Sequence, residues 1–412
     1  MYQIVISSFF IIFFSNALLF SQQRDINFYM EALRSNHPVI RDFENQARLT
    51  ELENLKIRSE YRLPNVFATA NLMKAPVING VGYDEAISNG ALYSTLINVE
   101  QPILNPSYKA ESEMNKIKAG RYRFQGQLSL REMEKQVTNQ YIMCFTGQQH
   151  LLSAKEIREL LEEQYKTSCI LAKSGIIKTS DILLLEIELG NEDMNITELH
   201  LQFSKDITIL NSLCGLNDTL ETNFSSLNIQ IIRSDSAGSR YDYQFTTDSL
   251  IAENSLKISG QKYKPQISAF ANLGVNAIDP ANIYSNRGFS AGIDLKINLY
   301  DGQQQRINRQ QTQIQLESID NFKRFFNIQR IQSRQSLLKQ IESIRVEMKL
   351  AEDQLNKYKT LLSIYRQGLS NGDISILAYL TILHTYQKTS DEYFNFSQQI
   401  QNAINEYNYW TW

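Results

Sequence analysis

The histidines and cysteines, which could bind metals or act as nucleophiles, are scattered along the chain of 412 residues. No histidine has a partner at the spacing of a metal site, so we interpret all four as helix-surface or packing residues: His37, His150, His200 and His384. The cysteines lie among apolar neighbours, typical of small buried residues: Cys144, Cys169 and Cys214. Because glycine-rich phosphate loops and GxSxG motifs are also absent from the sequence, we expect no catalytic, cofactor-binding or metal-binding residues.

The first residues indicate export. An apolar segment at residues 4–20 is followed by the polar residues SQQRD. This order predicts a secretory signal peptide over residues 1–21, with cleavage after Ser21 or after Ala17. An uncleaved anchor helix is the alternative, because no lysine or arginine precedes the apolar segment. The net charge of −3 gives no basic surface typical of nucleic-acid binding.

Residues 288–302, GFSAGIDLKINLYDG, alternate between apolar and polar side chains. A period of two indicates a strand with one apolar and one polar face, and about ten such residues suit a tilted membrane-spanning strand. We expect the apolar set to face lipid: Ile293, Leu295 and Ile297. We expect the polar set to line an aqueous lumen: Asp294, Lys296 and Asn298.

The sequence contains an approximate internal repeat. PNVFATANL at residues 64–72 resembles PQISAFANL at 265–273, INVEQPILNP resembles IDLKINLYDG, and KSGIIKTSDI resembles RQGLSNGDI. The partners are separated by roughly 200 residues, which is too long for a solenoid repeat. We predict a first repeat at 22–215, a linker at 216–246 and a second repeat at 247–412.

Each repeat predicts the same order of elements: a lead-in helix, two strands, a very long helix, a turn with glycine and a last helix. The strands are predicted at 64–74, 91–103, 265–276 and 288–300. In the second repeat, apolar residues from Ile341 to Tyr365 recur at alternating spacings of three and four, a heptad pattern. A helix from about 304 to 367 would measure roughly 95 Å at 1.5 Å per residue. The predicted fold class is therefore mainly α with β, and coiled-coil helices dominate it.

Four strands are too few to close a membrane barrel. Backbone groups in lipid must all be paired, and single-chain barrels begin at about eight strands. Copies of the chain would have to combine their strands, eight in a dimer or twelve in a trimer. Polar residues on the inner face favour the wider barrel. The alternative is a soluble β-hairpin packed on a helix.

The repeated order of elements resembles that of the TolC-like outer-membrane efflux proteins. The resemblance covers residues 25–410 and includes Asn36-His37-Pro38 in the lead-in helix, which is similar to the family's N-terminal signature. It implies a homotrimer with a barrel of twelve strands in the outer membrane, a long periplasmic α-barrel, and the inter-repeat linker in an equatorial collar. Such ducts are not enzymes and export small molecules or proteins. An exported coiled-coil structural or adhesion stalk is the alternative function.

The resemblance also implies partners, a periplasmic adaptor and an inner-membrane pump. Adaptor contacts in the family lie at the tips of the helical hairpins, which match Gly175, Ile176 and Ile177 in the first repeat and Gly368, Leu369 and Ser370 in the second. We expect Gly175 and Gly368 to end their helices in the left-handed conformation and the apolar residues beside them to be exposed. The alternative is that these residues pack onto their own helices.

Two acidic residues follow the predicted turns. The family can present carboxylates to the closed end of the pore, and Ala378 and Thr381 occupy positions where they would be sought. Asp181 and Asp373 are the remaining gate candidates. The alternative is that both only cap helices, since each follows residues typical of a turn.

Overall fold

A computed structural model describes the chain apart from residues 1–23, 75, 77, 83–90, 174, 176, 219–221 and 233–238. The predicted signal peptide therefore lies outside the described residues, as does Ile176 at the first turn. The first half contains, in order, α1 (Ile26–Asn36), α2 (Pro38–Arg62), β1 (Asn65–Lys74), β2 (Ala91–Leu104), α3 (Tyr108–Lys173) and α4 (Thr179–Leu213).

The second half has a similar order of elements. It contains α5 (Asp242–Gln261), β3 (Gln266–Ala277), a short 3₁₀ turn (Pro280–Asn282), β4 (Arg287–Lys296), α6 (Gln304–Asn371) and α7 (Ile376–Trp410). The two long helices have 66 and 68 residues. No described helix is both long and apolar enough to cross a bilayer. The predicted class, mainly α with β, is confirmed.

The chain divides into two compact units that do not coincide with the sequence repeats. The helical unit comprises the described residues within 24–37, 133–231 and 337–407, and the sheet unit comprises those within 38–132, 232–336 and 408–412. The long helices α3 and α6 each contribute to both units.

The core of the helical unit confirms the heptad pattern of α6. Its predicted positions are buried or half-buried, whereas nearly all the positions between them are exposed. Ile341 and Ile344 pack with Ile400 and Ile404 of α7. Farther along, Leu362 and Leu369 join a second cluster that includes residues of α3, α4 and α7. Each fully buried aliphatic side chain stabilises the fold by about 1.5–3 kcal/mol, so this seam is a main source of stability.

An aromatic cluster in the helical unit joins α1, α3 and the segment that follows α4. The ring of Tyr29 in α1 lies 5.9 Å from the ring of Tyr141 in α3 and 6.2 Å from that of Phe224. The Tyr141 hydroxyl lies 3.1 Å from the Ser225 carbonyl oxygen, to which it donates a hydrogen bond. The chain that precedes residue 233 is thereby attached to α1 and α3.

Side-chain contacts place the helices of the sheet unit in the order α2, α3, α5, α6. The contacts between successive helices are the ion pair of Arg123 with Glu51 at 2.6 Å, the ion pair of Arg121 with Asp248 at 3.0 Å, and the hydrogen bond from Asn308 Nδ2 to Ser259 Oγ at 2.7 Å. These four helices form one layer, and among the described residues α2 and α6 are therefore its outer helices.

The four strands form one antiparallel sheet in the order β1-β2-β3-β4. Three strand bounds match the predictions within one residue, but β4 ends at Lys296 rather than at residue 300. The partner strand explains the difference, because Lys296 pairs with Gln266, the first residue of β3. Beyond this pair, the Asn298 side chain donates to the Lys262 carbonyl oxygen at 3.0 Å.

Candidate functional site: a two-faced sheet and two helical turns

One face of the sheet is apolar across all four strands. The register aligns Val66 with Val99, Ala271 and Ala291, and the next row on this face aligns Ala68 with Ile97, Leu273 and Phe289. Successive residues of a strand point to opposite faces, so both rows lie on the same side as Ile293 and Leu295. The apolar face of β4 therefore continues through these rows onto the other three strands, with Thr95, Gln101 and Arg287 as polar residues on the same side.

This face has no cover within the described chain. The exposed fraction is 83% for Phe289, 70% for Ile293 and 63% for Leu295. Soluble monomers seldom expose a continuous apolar surface of this kind, and such surfaces mark contacts with a membrane or another protein.

The opposite face is mainly polar. One row aligns Phe67 with Asn98, Asn272 and Ser290, and Asn98 Nδ2 donates to Thr69 Oγ1 on β1 at 2.9 Å. Asp294 and Lys296 alternate with the apolar residues of β4 and therefore share this side. Asn298 lies after the end of the strand, as does Ile297, so neither residue has a strand position on a face of the sheet.

Both edges of the sheet are unpaired within the described residues, because β1 and β4 have a partner strand on only one side.

A hydrogen bond fixes the chain between the end of β4 and the start of α6. The Tyr263 hydroxyl donates to a carboxylate oxygen of Asp301 and lowers the pKa of that carboxyl. Asp301 also accepts from the backbone N–H of Gln305 at 2.8 Å, in the first turn of α6. This contact satisfies one of the free donors at the start of the long helix.

The first turn of the helical hairpins matches the expectation for glycine. Gly175 has a φ of +75°, and apart from its chain neighbours no described residue would lie within 4 Å of a Cβ built on it. Ile177, two residues later, is half-buried and packs against the core cluster of the helical unit.

The second turn differs from the prediction. Helix α6 continues through Gly368 to Asn371, and Gly372, with a φ of +81°, follows its last residue. The N–H of Gly372 donates to the Leu369 carbonyl at 3.1 Å and that of Asp373 to the Gly368 carbonyl at 2.8 Å, the two bonds of a Schellman motif.

Leu369 is only 2% exposed and lies in the core cluster, so the expectation that it is an exposed tip residue is wrong. Its position continues the heptad of α6 by seven residues from Leu362, which explains its burial. Ser370, the next residue, is exposed. Among the described residues near the turns, Ile170 and Leu377 are large, apolar and exposed.

Neither acidic gate candidate caps a helix with its side chain. Asp181 is half-buried in the first turn of α4, whose N-cap is Lys178. Asp373 is exposed in the turn, and Ser375 Oγ accepts from the Ala378 N–H at 3.2 Å instead. The gate role of both residues stays a prediction.

The helical unit also carries two exposed apolar stripes that were not predicted from the sequence. On α4 the stripe consists of Leu183, Ile187, Met194 and Leu201. On α6 it consists of Val346, Leu350 and Ile364. Ile187, Met194 and Leu201 recur at the heptad interval, a signal present in the sequence.

Solved structures of outer-membrane channels share this architecture. The CmeC outer membrane channel of Campylobacter jejuni aligns with 94% of this chain and 85% of its own, with a TM-score of 0.74 and 13% identity. VceC of Vibrio cholerae aligns over 93% and 94%, with a TM-score of 0.72 and 10% identity. This chain has the fold of an outer-membrane channel protomer. It is the fold that the TolC-like resemblance implies.

The open state of the Neisseria gonorrhoeae MtrE outer membrane channel also aligns with 94% of this chain, with a TM-score of 0.66 and 11% identity. No family model and no curated protein matches the sequence. The channel fold is therefore recognisable in three dimensions, whereas few individual residues are shared.

Proposed function

We propose that this chain is one protomer of an outer-membrane exit duct that receives its cargo from an inner-membrane pump through a periplasmic adaptor. The observation that carries the proposal is the sheet, which combines an exposed apolar face, a mainly polar face and two free edges. In lipid the free edges would leave backbone donors and acceptors unpaired. Pairing β4 of one copy with β1 of the next satisfies them.

Closure by three copies gives a barrel of twelve strands. The apolar rows then face lipid and the row of Asn98, Asn272 and Ser290 faces the lumen. Two copies would give eight strands, whose interior is just wide enough for side chains to fill. A duct needs an aqueous path, and the side chains of Phe67 and Phe270 on the inner face would fill part of the interior. The wider barrel of twelve strands is therefore favoured.

The helices of each unit support the same closure. In the sheet unit, the outer helices α2 and α6 both expose large apolar residues, among them Leu49 and Leu52 on α2 and Phe322 and Phe325 on α6. In the helical unit, the exposed stripes are on α4 and α6. Contact of these surfaces between copies would bury them and continue the ring from the strands into the helices.

The helical turns are the proposed adaptor site, with Gly175 and Ser370 at its surface. Ile170 in the last turn of α3 and Leu377 in the first turn of α7 are 67% and 66% exposed. Ile177 and Gly368 support the turns from within, and Asp181 and Asp373 are the proposed gate residues. Export of small molecules and export of proteins both fit this arrangement.

Extraction and mass measurement test the duct. Membranes from cells that make the protein are washed with carbonate and then solubilised in detergent, and the mass of the complex is measured by light scattering. A duct stays in the outer membrane until detergent is added and has three times the mass of one chain. Release by the wash would identify a stalk instead, and a monomeric or dimeric mass would contradict the barrel of twelve strands.

A further inference from the structure

A groove of about 400 Å³ lies between α3 and the start of α5 in the sheet unit. It is lined by Gly120, Arg123, Phe124, Gln127, Arg240 and Tyr243. Its volume is in the range of sites that bind small molecules. The groove lies between the two inner helices of the layer, so closure of the ring through α2 and α6 would not use it.

The floor of the groove is aromatic and fixed by packing. Phe124 is buried and stacks on Trp412, with ring centroids 5.8 Å apart and an interplanar angle of 17°. The Tyr243 ring lies 4.9 Å from that of Phe124 and is partly exposed. The planes of these two rings are tilted by 51°, and the exposed Tyr243 ring, supported by Phe124, offers an apolar surface to a ligand.

Arg240 supplies positive charge at the rim. Its Cζ lies 5.7 Å from the centroid of Trp412, so that one face of the guanidinium is held against the indole. The five N–H donors of a guanidinium lie in its plane and stay available to an acceptor. No carboxylate in the described part of the chain forms an ion pair with Arg240. Arg123, by contrast, is paired with Glu51 at 2.6 Å.

Gly120 keeps the groove open on the side of α3. A Cβ built on Gly120 would lie 3.1 Å from the Tyr243 hydroxyl oxygen, so a larger side chain would enter the space above the ring. The groove thus combines a hydrophobic floor, a cationic rim and a small residue at its wall.

We propose that this groove binds a small amphipathic carboxylate. The apolar part of the ligand lies on Phe124 and Tyr243, and its carboxylate accepts hydrogen bonds from the Arg240 guanidinium. A charge-assisted contact of this kind is stronger than a neutral hydrogen bond and distinguishes an acid from the corresponding alcohol. The proposal does not depend on export, because the groove is complete within one chain.

The probe is 3-phenylpropionate, added to the full-length protein in detergent and followed by calorimetry with the heat of empty micelles subtracted. Fluorescence gives a second signal, since the chain has two tryptophans and one of them, Trp412, forms the stack with Phe124 and Arg240. We expect saturable binding, and affinity for 3-phenylpropanol at least tenfold lower.

Arg240→Gln should weaken binding of the acid at least tenfold, whereas Arg240→Lys should retain part of it. Lys257→Gln removes the same charge from an exposed position on α5 and should change nothing. Gly120→Leu should block binding while leaving the mass of the assembly unchanged. Equal affinity for acid and alcohol, unsaturable binding, or normal binding by Arg240→Gln would overturn the proposal. Arg240 is exposed, so its variants test the site even if Gly120→Leu does not assemble.

Discussion

Gly368 in α6 lies directly against Ile374, which follows the second helical turn. A Cβ built on Gly368 would lie 2.6 Å from Ile374 Cδ1 and 2.9 Å from its Cγ1. Gly368 is therefore required for close packing, whereas Gly372 provides the left-handed backbone that ends the helix.

Gly368→Ala should accordingly destabilise the turn. Relief of the contact requires a shift of Ile374 or of the helix, and overpacking of this kind costs about 1–3 kcal/mol. Thermal unfolding of the purified protein measures the loss. Gly147→Ala is the matched control, because its Cβ would lie at an ordinary 3.5 Å from Phe203 Cδ2. Equal stability of the two variants would mean that Gly368 is not packed as described.

The sheet predicts opposite tolerance to charge at neighbouring residues. Ile293 lies on the apolar face and Asp294 on the polar face of β4. Arginine on the lipid face near the middle of a bilayer costs about 2–4 kcal/mol, while lumen positions tolerate it. Ile293→Arg should reduce the assembled protein in outer membranes, measured by blotting of heat-modifiable trimer, and Asp294→Arg should not. Similar amounts of both would place the sheet outside a membrane.

Substitutions on the buried face of α6 should affect the folding of the chain, and substitutions on its exposed face should affect the association of copies. Ile344 is buried against α7 within the chain, so Ile344→Ala should lower the free energy of unfolding by about 2–5 kcal/mol. Leu350 is exposed, and Leu350→Asp should weaken the contact between copies while leaving the helical content unchanged. Circular dichroism and mass measurement separate the two effects. Loss of helix in Leu350→Asp would show that this face packs within the protomer.

The cysteines should differ in reactivity. Burial raises the pKa of the Cys214 thiol to about 12, and it also raises the pKa of Cys144. The thiolate is the reactive form, so neither should react with iodoacetamide at pH 8 in the folded protein. Cys169 is half-buried and should be labelled first. Mass spectrometry of digests, with urea-unfolded protein as the control, reads out the three sites. Rapid labelling of Cys144 in the folded state would contradict the packing around Tyr141.

Periodic elements could be predicted from the sequence, and single-residue geometry could not. The alternation in β4 and the heptad of α6 predicted strand, helix and buried positions because a long pattern averages over local exceptions. The end of β4 depended on where β3 begins, which is a property of another strand. The helix terminus at Gly372 rather than Gly368 depended on which of two nearby glycines takes the left-handed conformation. Neither relationship leaves a periodic signal.

The burial of Leu369 changes the variants that test adaptor docking at the turns. Leu369→Asp would place a charge in the core cluster and disrupt the turn itself, so a loss of export would not identify a surface contact. Ile170 and Leu377 are exposed and lie within one turn of the helix ends.

Ile170→Asp combined with Leu377→Asp should therefore remove adaptor binding and leave the trimer and its membrane insertion intact. Photo-crosslinkers placed singly at Ile170, Leu377 or Ser370 in the native host should yield a periplasmic adaptor, identified by mass spectrometry. The product of the Ser370 crosslinker should disappear when the same crosslinker is placed in the double variant. Lys166→Asp is the control, because it changes an exposed charge one turn before Ile170 on α3. If the double variant still crosslinks to the adaptor, the docking surface lies elsewhere on the chain.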